Sequence, residues 1–299
     1  MPMLAGCLTS DSRCGADGSI VRERTIRTSL GALAALAGLL AVAGSSGAAS
    51  TFAAGKMTVT PVSVTAASTG NELTFTFTAD SAAVAGQTIV GVPPGWSPPQ
   101  RTNARGPGYV EVQPVSCGRS TRLRAISGRR ITIATACGRG HAYRLLYHAA
   151  TAPRFASDGY VFVTQTRVVP RNRRKAAFHP LGPRKQPVVR VRGGPATALF
   201  MTITSVATSG TPFNATVRGV DPYDNNAVGY VGTVTLATTD PAATLPAPYT
   251  YIAGDAAQHT FTGLILRTPG TQRVTATDSN GLSITSPPIT VAPPSSARR

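Results

Sequence analysis

Apolar and polar residues alternate with a period of two along much of this chain. The alternation is clearest in Leu73–Thr78, where Leu or Phe occupies every second position and Thr lies between them. Met57–Val64 shows it less regularly, and turn-forming residues at Ser68–Asn71 separate the two segments. Successive side chains of a strand point to opposite faces of a sheet, so the pattern predicts strands with one buried face. The 30 Gly and 24 Pro residues favour frequent turns between such strands.

Two series of strand candidates follow one another along the chain. In residues 51–195 the further candidates are Gln87–Val92, Tyr109–Cys117, Thr121–Ile126, Arg129–Ala136, Ala142–Ala149 and Tyr160–Val169. From residue 196 onwards they are Ala198–Val206, Phe213–Val220, Val231–Ala237, Thr250–Ala253, His259–Leu266, Thr271–Thr277 and Ile289–Val291. Seven short strands in just under 100 residues fit an immunoglobulin-like sandwich. The sequence therefore predicts an all-β fold with two β-sandwich domains in tandem, the second immunoglobulin-like, after an N-terminal signal segment.

The second series also carries landmarks of a known family. In chain order they are Thr208–Phe213, Asp221–Asn225, Gly229–Val234, Thr239–Pro241, Leu245–Pro246, Tyr249–Tyr251, His259–Phe261, Thr268–Gly270 and Thr275–Asp278. Through them residues 196–293 resemble the bacterial immunoglobulin-like (Big) repeats of the invasin and intimin type, which implies a stalk, spacer or adhesive module. The family usually has Gly before the Asn of its first turn, where this chain has Asp224. One clear copy argues against a long stalk, and residues 51–195 are similar to secreted bacterial β-sandwich domains only in general style.

The positive charge of the chain is concentrated in its first series of strands. The formal net charge of the 299 residues is +17, and residues 51–195 hold 20 basic and 4 acidic side chains, giving +16. Residues 196–299 hold 5 of each and are neutral. This asymmetry predicts a basic domain at 51–195, an immunoglobulin-like domain at 196–293 and a tail at 294–299.

Residues 1–50 are predicted to be a leader that contains a secretory signal. Three arginines between residues 22 and 27 precede an apolar run at Leu30–Ala43, and small residues up to Ala49 supply cleavage sites. The run is shorter than the ~20 residues that span a bilayer, which favours a cleaved signal over the alternative, a membrane anchor. We therefore expect a mature chain without a membrane span, located extracellularly or at the cell surface.

Cys117 and Cys137 are the cysteines that remain after removal of the leader. Export favours a disulfide between them. A hairpin that turns at residues 126–128 places Leu123 opposite Ile131 and, in the same register, Cys117 opposite Cys137. Closing a loop of about 20 residues contributes about 3 kcal/mol of stability. The sequence has neither a Cys-x-x-Cys motif nor a Cys/His ligand cluster, which argues against zinc.

Two groups of basic residues are candidate sites for an anionic ligand. Arg122, Arg124 and Arg130 lie on the hairpin, where the predicted register sets Arg124 opposite Arg130. The others lie in a Pro-containing loop at 170–187, namely Arg171, Arg173, Arg174, Lys175, Arg184 and Lys185. The predicted partner is an anionic wall or surface polymer, or a surface protein, with a merely solvated surface as the alternative. Nucleic acid is disfavoured because few aromatics interleave with these residues and no recognised binding motif is present.

The remaining candidate chemistry is sparse. Trp96, the single Trp, either plugs one end of a sandwich core or stacks on a glycan, and the second role fits a carbohydrate-binding accessory protein of the cell envelope. Three aspartates are candidate calcium ligands, Asp221, Asp224 and Asp278. The alternative is that their carboxylates stabilise turns or cap backbone N–H groups. Paired acids, a GxSxG serine, an HExxH pattern and a dinucleotide loop are missing, so we expect no enzymatic activity and no cofactor. The predicted function is a secreted, non-enzymatic surface or extracellular adhesion protein.

Overall fold

The computed structural model describes residues 52–169 and 176–294, which are almost entirely β-structure. The predicted signal segment and four of the candidate basic residues, Arg171, Arg173, Arg174 and Lys175, lie outside the described residues. Within the described ranges, no helix has the length and apolar character needed to cross a membrane. The first series of strands comprises β1 (Lys56–Thr60), β2 (Ser63–Thr65), β3 (Asn71–Thr78), β4 (Val84–Gly91), β5 (Tyr109–Pro114), β6 (Arg122–Ser127), β7 (Arg130–Cys137), β8 (Ala142–Ala150), β9 (Ser157–Val161), β10 (Thr164–Val168), β11 (His179–Pro180) and β12 (Val188–Arg192).

These strands form the first sandwich, built around one hydrophobic cluster. The strand orders of its sheets are β1-β3-β8-β5, β11-β10-β4-β7-β6 and β2-β12-β9. Alternation decides which face is buried: Phe75 and Phe77 of β3 and Ile131 and Ile133 of β7 are at most 1% exposed, while the Thr residues between them stay partly accessible. Full burial of each large apolar side chain contributes roughly 1.5–3 kcal/mol, so this cluster is the main source of stability.

The second sandwich has a separate hydrophobic cluster. Its strands are β13 (Ala198–Ile203), β14 (Val206–Thr208), β15 (Pro212–Val220), β16 (Thr233–Thr238), β17 (Tyr249–Thr250), β18 (Gln258–Ile265), β19 (Gly270–Gln272), β20 (Val274–Asp278), β21 (Ser283–Thr285) and β22 (Ile289–Ala292). They form sheets in the orders β13-β15-β18, β14-β22-β19 and β17-β16-β20-β21. The two clusters extend over Met57–Val191 and Leu199–Val291. The predicted fold class, all-β with two sandwiches in tandem, is confirmed, whereas the division at residues 195/196 stays a prediction.

The β6–β7 hairpin forms, but the predicted register is wrong. Gly128 and Arg129 make the turn, so Ser127 pairs with Arg130, and a bulge between Leu123 and Ala125 shifts the register again. The turn falls there because Gly128 adopts a φ of 54°, which glycine reaches at little cost and which short hairpin turns require. The predicted opposition of Arg124 and Arg130 is therefore absent, because Arg130 pairs with Ser127. The bulge also leaves Arg124 without a direct cross-strand partner.

The predicted Cys117–Cys137 disulfide is confirmed, with a Cα–Cα distance of 4.4 Å. The two residues are not cross-strand neighbours, because Cys117 lies in the connection between β5 and β6 and Cys137 ends β7. The backbone N–H of Cys117 donates to the carbonyl of Ala142, the first residue of β8. Since β5 and β8 belong to the four-stranded sheet and β7 to the five-stranded sheet, the disulfide joins the sheets where the chain crosses between them.

Candidate binding surfaces

The register of the five-stranded sheet aligns residues of four strands in one row. Arg122 of β6 pairs with Ala134 of β7, which pairs in turn with Gln87 of β4. Gln87 pairs with Arg167 of β10. The row lies on the outer face because Ile133, the neighbour of Ala134 along β7, points into the core. Strands lie about 4.8 Å apart, so the two arginines stand about 14 Å from each other across the sheet.

Two exposed arginines of the β6–β7 hairpin lie outside this row. Arg130 begins β7 on the same side as Ala134, and Arg124 lies at the bulge of β6. We call Arg122, Arg124, Arg130 and Arg167 the basic face. None of the five strands of this sheet contains Asp or Glu. The strands themselves therefore offer no carboxylate that neutralises these guanidinium groups.

Arg167 is the most firmly held member of the basic face. Its Nη2 donates to Oε1 of Gln87 at 2.7 Å, and its guanidinium carbon lies 4.6 Å from the ring centroid of Phe178. A guanidinium packed on an aromatic ring keeps its charge while losing conformational freedom. The side chain thus presents a cation at a fixed position at one end of the row.

The four-stranded sheet of the same sandwich has a different charge pattern. Oε2 of Glu72 lies 2.6 Å from Nδ1 of His148, and a carboxylate oxygen of Glu111 lies 4.0 Å from Nε2 of the same ring. Both acids belong to strands of this sheet, β3 and β5. Two of the four acidic residues of the first sandwich therefore lie on the sheet opposite the basic face.

Arg184 and Lys185, the two candidate basic residues of the Pro-containing loop that the structure describes, lie in different environments. Nζ of Lys185 lies 2.8 Å from Oδ2 of Asp80. The hydrogen bond from Lys185 lowers the pKa of the Asp80 carboxyl, so Asp80 is ionised at neutral pH. The ion pair gives Lys185 a carboxylate partner within the protein, and its part in anion binding stays a prediction. Arg184 is exposed.

Trp96 is buried and is not available for stacking on a glycan. Its side chain is 2% exposed, with ring centroids of Phe162 and Tyr160 at 5.4 Å and 6.3 Å. The alternative role, closure of the core, is the one that the structure shows. Arg129 stabilises the segment that contains Trp96, because its guanidinium donates to the backbone carbonyls of Val92, Pro93 and Trp96. This role of Arg129 was not predicted, because hydrogen bonds to backbone carbonyls produce no sequence pattern.

The carboxylate of Asp221 is occupied by hydrogen bonds within the protein. Its Oδ1 accepts the backbone N–H groups of Tyr223 and Asn225 at 2.8 Å and 3.0 Å. Its Oδ2 accepts from the backbone of Gly194 at 2.9 Å and from the side chain of Asn225 at 2.8 Å. Burial opposes ionisation, but these donors outweigh it and lower the pKa of Asp221. The carboxylate is thus a turn-stabilising group, as the alternative interpretation proposed.

The other two calcium candidates lie in different environments. Asp278 accepts backbone N–H groups from Asn280 and Leu282 on Oδ1, and the hydroxyl of Tyr230 donates to its Oδ2 at 2.8 Å. Asp224 is exposed and has a φ of 62°, the left-handed conformation that the family's usual glycine would favour. Among the described residues, no group of three or more His, Cys, Asp or Glu side chains could hold a metal ion.

The turn at residues 221–226, here called the junction loop, belongs to the second sandwich and contacts the first. Asn225 accepts the N–H of Ala156 on Oδ1 at 2.7 Å and donates from Nδ2 to the carbonyl of Arg154 at 2.8 Å. The guanidinium carbon of Arg154 lies 5.7 Å from the ring centroid of Tyr223. The most recognisable motif of the chain is therefore a contact between sandwiches. Its local turn was predictable, but its partners about 70 residues away were not.

A cleft of about 800 Å³ opens beside the junction loop, and we call it the junction cleft. Its lining is mainly apolar and comes from both sandwiches. The lining residues are Ala67, Pro94, Gly95, Thr151, Ala152, Pro153, Arg154, Phe155, Tyr160 and Tyr223. The volume lies within the range of roughly 300–1,000 Å³ that is typical of ligand sites. None of these residues except Tyr223 lies in the family-like region, so no motif indicated the cleft.

The chain has remote similarity to solved structures of bacterial adhesins. The Yersinia pseudotuberculosis adhesin InvE matches at 12% identity and a TM-score of 0.27, over 79% of this chain and 58% of that protein. The Escherichia coli adhesin FdeC matches at 12% identity and 0.27, over 80% and 64%. The pilus adhesin SpaC of Lactobacillus rhamnosus GG matches at 15% and 0.25, over 66% and 22%. This chain thus spans less than two thirds of these proteins, and such low TM-scores carry no functional argument.

No protein-family model matches the chain, and no curated protein matches it either.

Proposed function

We propose that this chain is an exported, non-enzymatic surface or extracellular binding protein. The first sandwich binds an anionic polymer through its basic face, and the immunoglobulin-like second sandwich serves as a spacer or adhesive module. The observation that carries the proposal is a five-stranded sheet whose strands contain arginines on the outer face and no acidic residue. The neutral charge balance of the second sandwich supports this division of roles.

The spacing of the basic face suits a polymer better than a small anion. Arg122 and Arg167 stand about 14 Å apart across the strands. The Debye length in physiological salt is about 8 Å, so the two cations act as separate contacts and not as one combined field. A chain of phosphodiester or carboxylate groups engages several such contacts at once, and each guanidinium is able to form bidentate hydrogen bonds with phosphate or carboxylate.

Export is part of the same proposal and has its own support. The described part of the chain contains the Cys117–Cys137 disulfide, which persists in oxidising compartments. The predicted leader precedes it. Expression of the full chain in a bacterial host, followed by N-terminal sequencing of the exported protein, is expected to show processing between Ala43 and Ser50. A mature protein that retains the whole apolar run would favour a membrane anchor.

The test of polymer binding compares two variants of equal net charge. The first carries Arg122→Gln, Arg124→Gln and Arg130→Gln. The matched control carries three changes at exposed arginines outside the basic face, Arg101→Gln, Arg105→Gln and Arg139→Gln. Binding of each protein to purified teichoic acid is measured over a range of NaCl concentrations, with circular dichroism as the check on folding.

The basic-face variant is expected to bind more weakly, with a lower salt dependence. Each lost phosphate contact reduces the slope of log K against log [NaCl] by about 0.7 for a flexible polyanion, so three lost contacts reduce it by about 2. The control is expected to keep the slope of the parent protein. Equal slopes for all three proteins, or retention on purified cell walls that is insensitive to ~0.5 M NaCl, would refute the electrostatic basic face.

A further inference from the structure

The chemistry of the junction cleft differs from that of the basic face. Three aromatic side chains line it, Phe155, Tyr160 and Tyr223, together with two prolines. Arg154 is its one charged residue, and the lining contains no Asp, Glu, Asn or Gln. We propose that the junction cleft binds an extended, proline-rich peptide segment that carries an acidic residue. This site is separate from the polymer-binding face proposed above.

The aromatic wall of the cleft is held in place by its neighbours. The carbonyl of Arg154 and the N–H of Ala156 both bond to the side chain of Asn225. The hydroxyl of Tyr160 donates to the carbonyl of Phe155 at 2.9 Å. Backbone groups on both sides of Phe155, and its own carbonyl, are therefore fixed, while its ring is 69% exposed. A large aromatic ring that is presented on a fixed backbone is typical of a binding hot spot.

The polar groups of the cleft decide which ligand fits. Its side-chain polar groups are the hydroxyl of Thr151, the two tyrosine hydroxyls and the guanidinium of Arg154. A saccharide brings many hydroxyl groups, and burying them without hydrogen-bond partners is costly. Proline brings no N–H group, and its polyproline II conformation is already extended, so proline-rich segments bind in grooves lined by aromatic rings.

The charge of the cleft selects among proline-rich ligands. The guanidinium of Arg154 faces the ring of Tyr223 at 5.7 Å and has no carboxylate partner among the lining residues. A glutamate or aspartate in the bound segment supplies that partner and forms charge-assisted hydrogen bonds with it. The cleft is therefore predicted to distinguish an acidic proline-rich segment from a basic one.

The test measures fluorescence anisotropy of labelled peptides with the exported full chain. The probes are Ac-PPPEPPPP-amide, the same peptide with lysine in place of glutamate, and a Gly/Ser peptide of equal length that retains the glutamate. The variants are Phe155→Ala and Arg154→Gln, and Phe200→Ala is the control because Phe200 is exposed in the second sandwich. Phe155 and Arg154 are exposed, so neither variant is expected to disturb folding.

The glutamate peptide is expected to bind more tightly than the lysine peptide, and the Gly/Ser peptide is expected to bind weakest. Phe155→Ala is expected to weaken binding at least about tenfold, whereas Phe200→Ala leaves it unchanged. Arg154→Gln is expected to remove the preference for glutamate over lysine. The proposal is overturned if no peptide binds at ~1 mM, if Phe155→Ala binds like the parent, or if a glycan array gives the Phe155-dependent signal instead. Concentration-dependent dimerisation that Phe155→Ala abolishes would also overturn it, by assigning the cleft to a second copy of the chain.

Discussion

Replacing Asn225 with alanine is predicted to uncouple the two sandwiches. The side chain is 9% exposed and forms two hydrogen bonds to the first sandwich, from the N–H of Ala156 and to the carbonyl of Arg154. Each such bond contributes about 1 kcal/mol net, so the coupling between sandwiches is expected to fall by about 2 kcal/mol. This corresponds to a change of roughly thirtyfold in the equilibrium between docked and undocked sandwiches.

The single tryptophan makes the uncoupling measurable. Because Trp96 is buried in the first sandwich, its fluorescence reports unfolding of that sandwich alone, whereas far-UV circular dichroism reports both. In urea, the parent protein is expected to give closer midpoints by the two probes than Asn225→Ala. The control Asn214→Ala removes an exposed amide from β15 of the same sandwich and is expected to change stability by less than ~0.5 kcal/mol. Identical midpoint separations for Asn225→Ala and Asn214→Ala would refute the coupling.

Two adjacent glycines offer a second perturbation of the same junction. A Cβ on Gly193 would lie 2.1 Å from the carbonyl oxygen of Asn226, so Gly193→Ala must displace the junction loop. A Cβ on Gly194 would meet nothing closer than 3.7 Å, which is an ordinary contact. Gly193→Ala is therefore expected to separate the two urea transitions as Asn225→Ala does, and Gly194→Ala is expected to behave like the parent.

Two further predictions concern the stability of each sandwich. Replacing both Cys117 and Cys137 with serine is expected to lower the free energy of unfolding of the first sandwich by about 3 kcal/mol, measured in urea, and a thiol titration of the denatured exported protein is expected to find no free thiol. At Asp240, burial opposes ionisation, but hydrogen bonds from Thr268, Arg267 and Ala242 outweigh it and lower the pKa to about 2. This stabilisation is complete above the unfolded-state pKa of about 3.9 and is lost as the pH falls towards 2, so Asp240→Asn should destabilise the protein at pH 7 and have little effect at pH 2. An equal loss at both pH values would contradict the assignment.

Local patterns predicted most of the strands, because a strand that is buried on one face has an apolar residue at every second position. β15 was predicted at Phe213–Val220 and runs over Pro212–Val220. β21, at Ser283–Thr285, was missed because three residues are too few to show a period. The segment predicted as one strand at Thr271–Thr277 is divided between β19 and β20, which belong to different sheets.

Register and site geometry depend on features that alternation does not encode. The turn at Gly128 and Arg129 moved the β6–β7 pairing, so Ser127 and not Arg124 pairs with Arg130. Trp96 was correctly expected to have a core role as one alternative, but only the positions of Phe162 and Tyr160 decided between core and surface. The junction contacts of Asn225 join residues that are distant in sequence, so no local motif indicates them.

The distribution of charge in the first sandwich connects its fold to its proposed function. Its four acidic residues, Glu72, Asp80, Glu111 and Asp158, all lie outside the strands of the five-stranded sheet, and Asp80 already pairs with Lys185. A surface that needed charge only for solubility would tolerate acids among its arginines, and each acid would relieve repulsion between neighbouring cations. The strands of the basic face contain no acid that could reduce this repulsion. In the proposed complex, the anionic groups of the polymer would provide the charge partners that these strands lack.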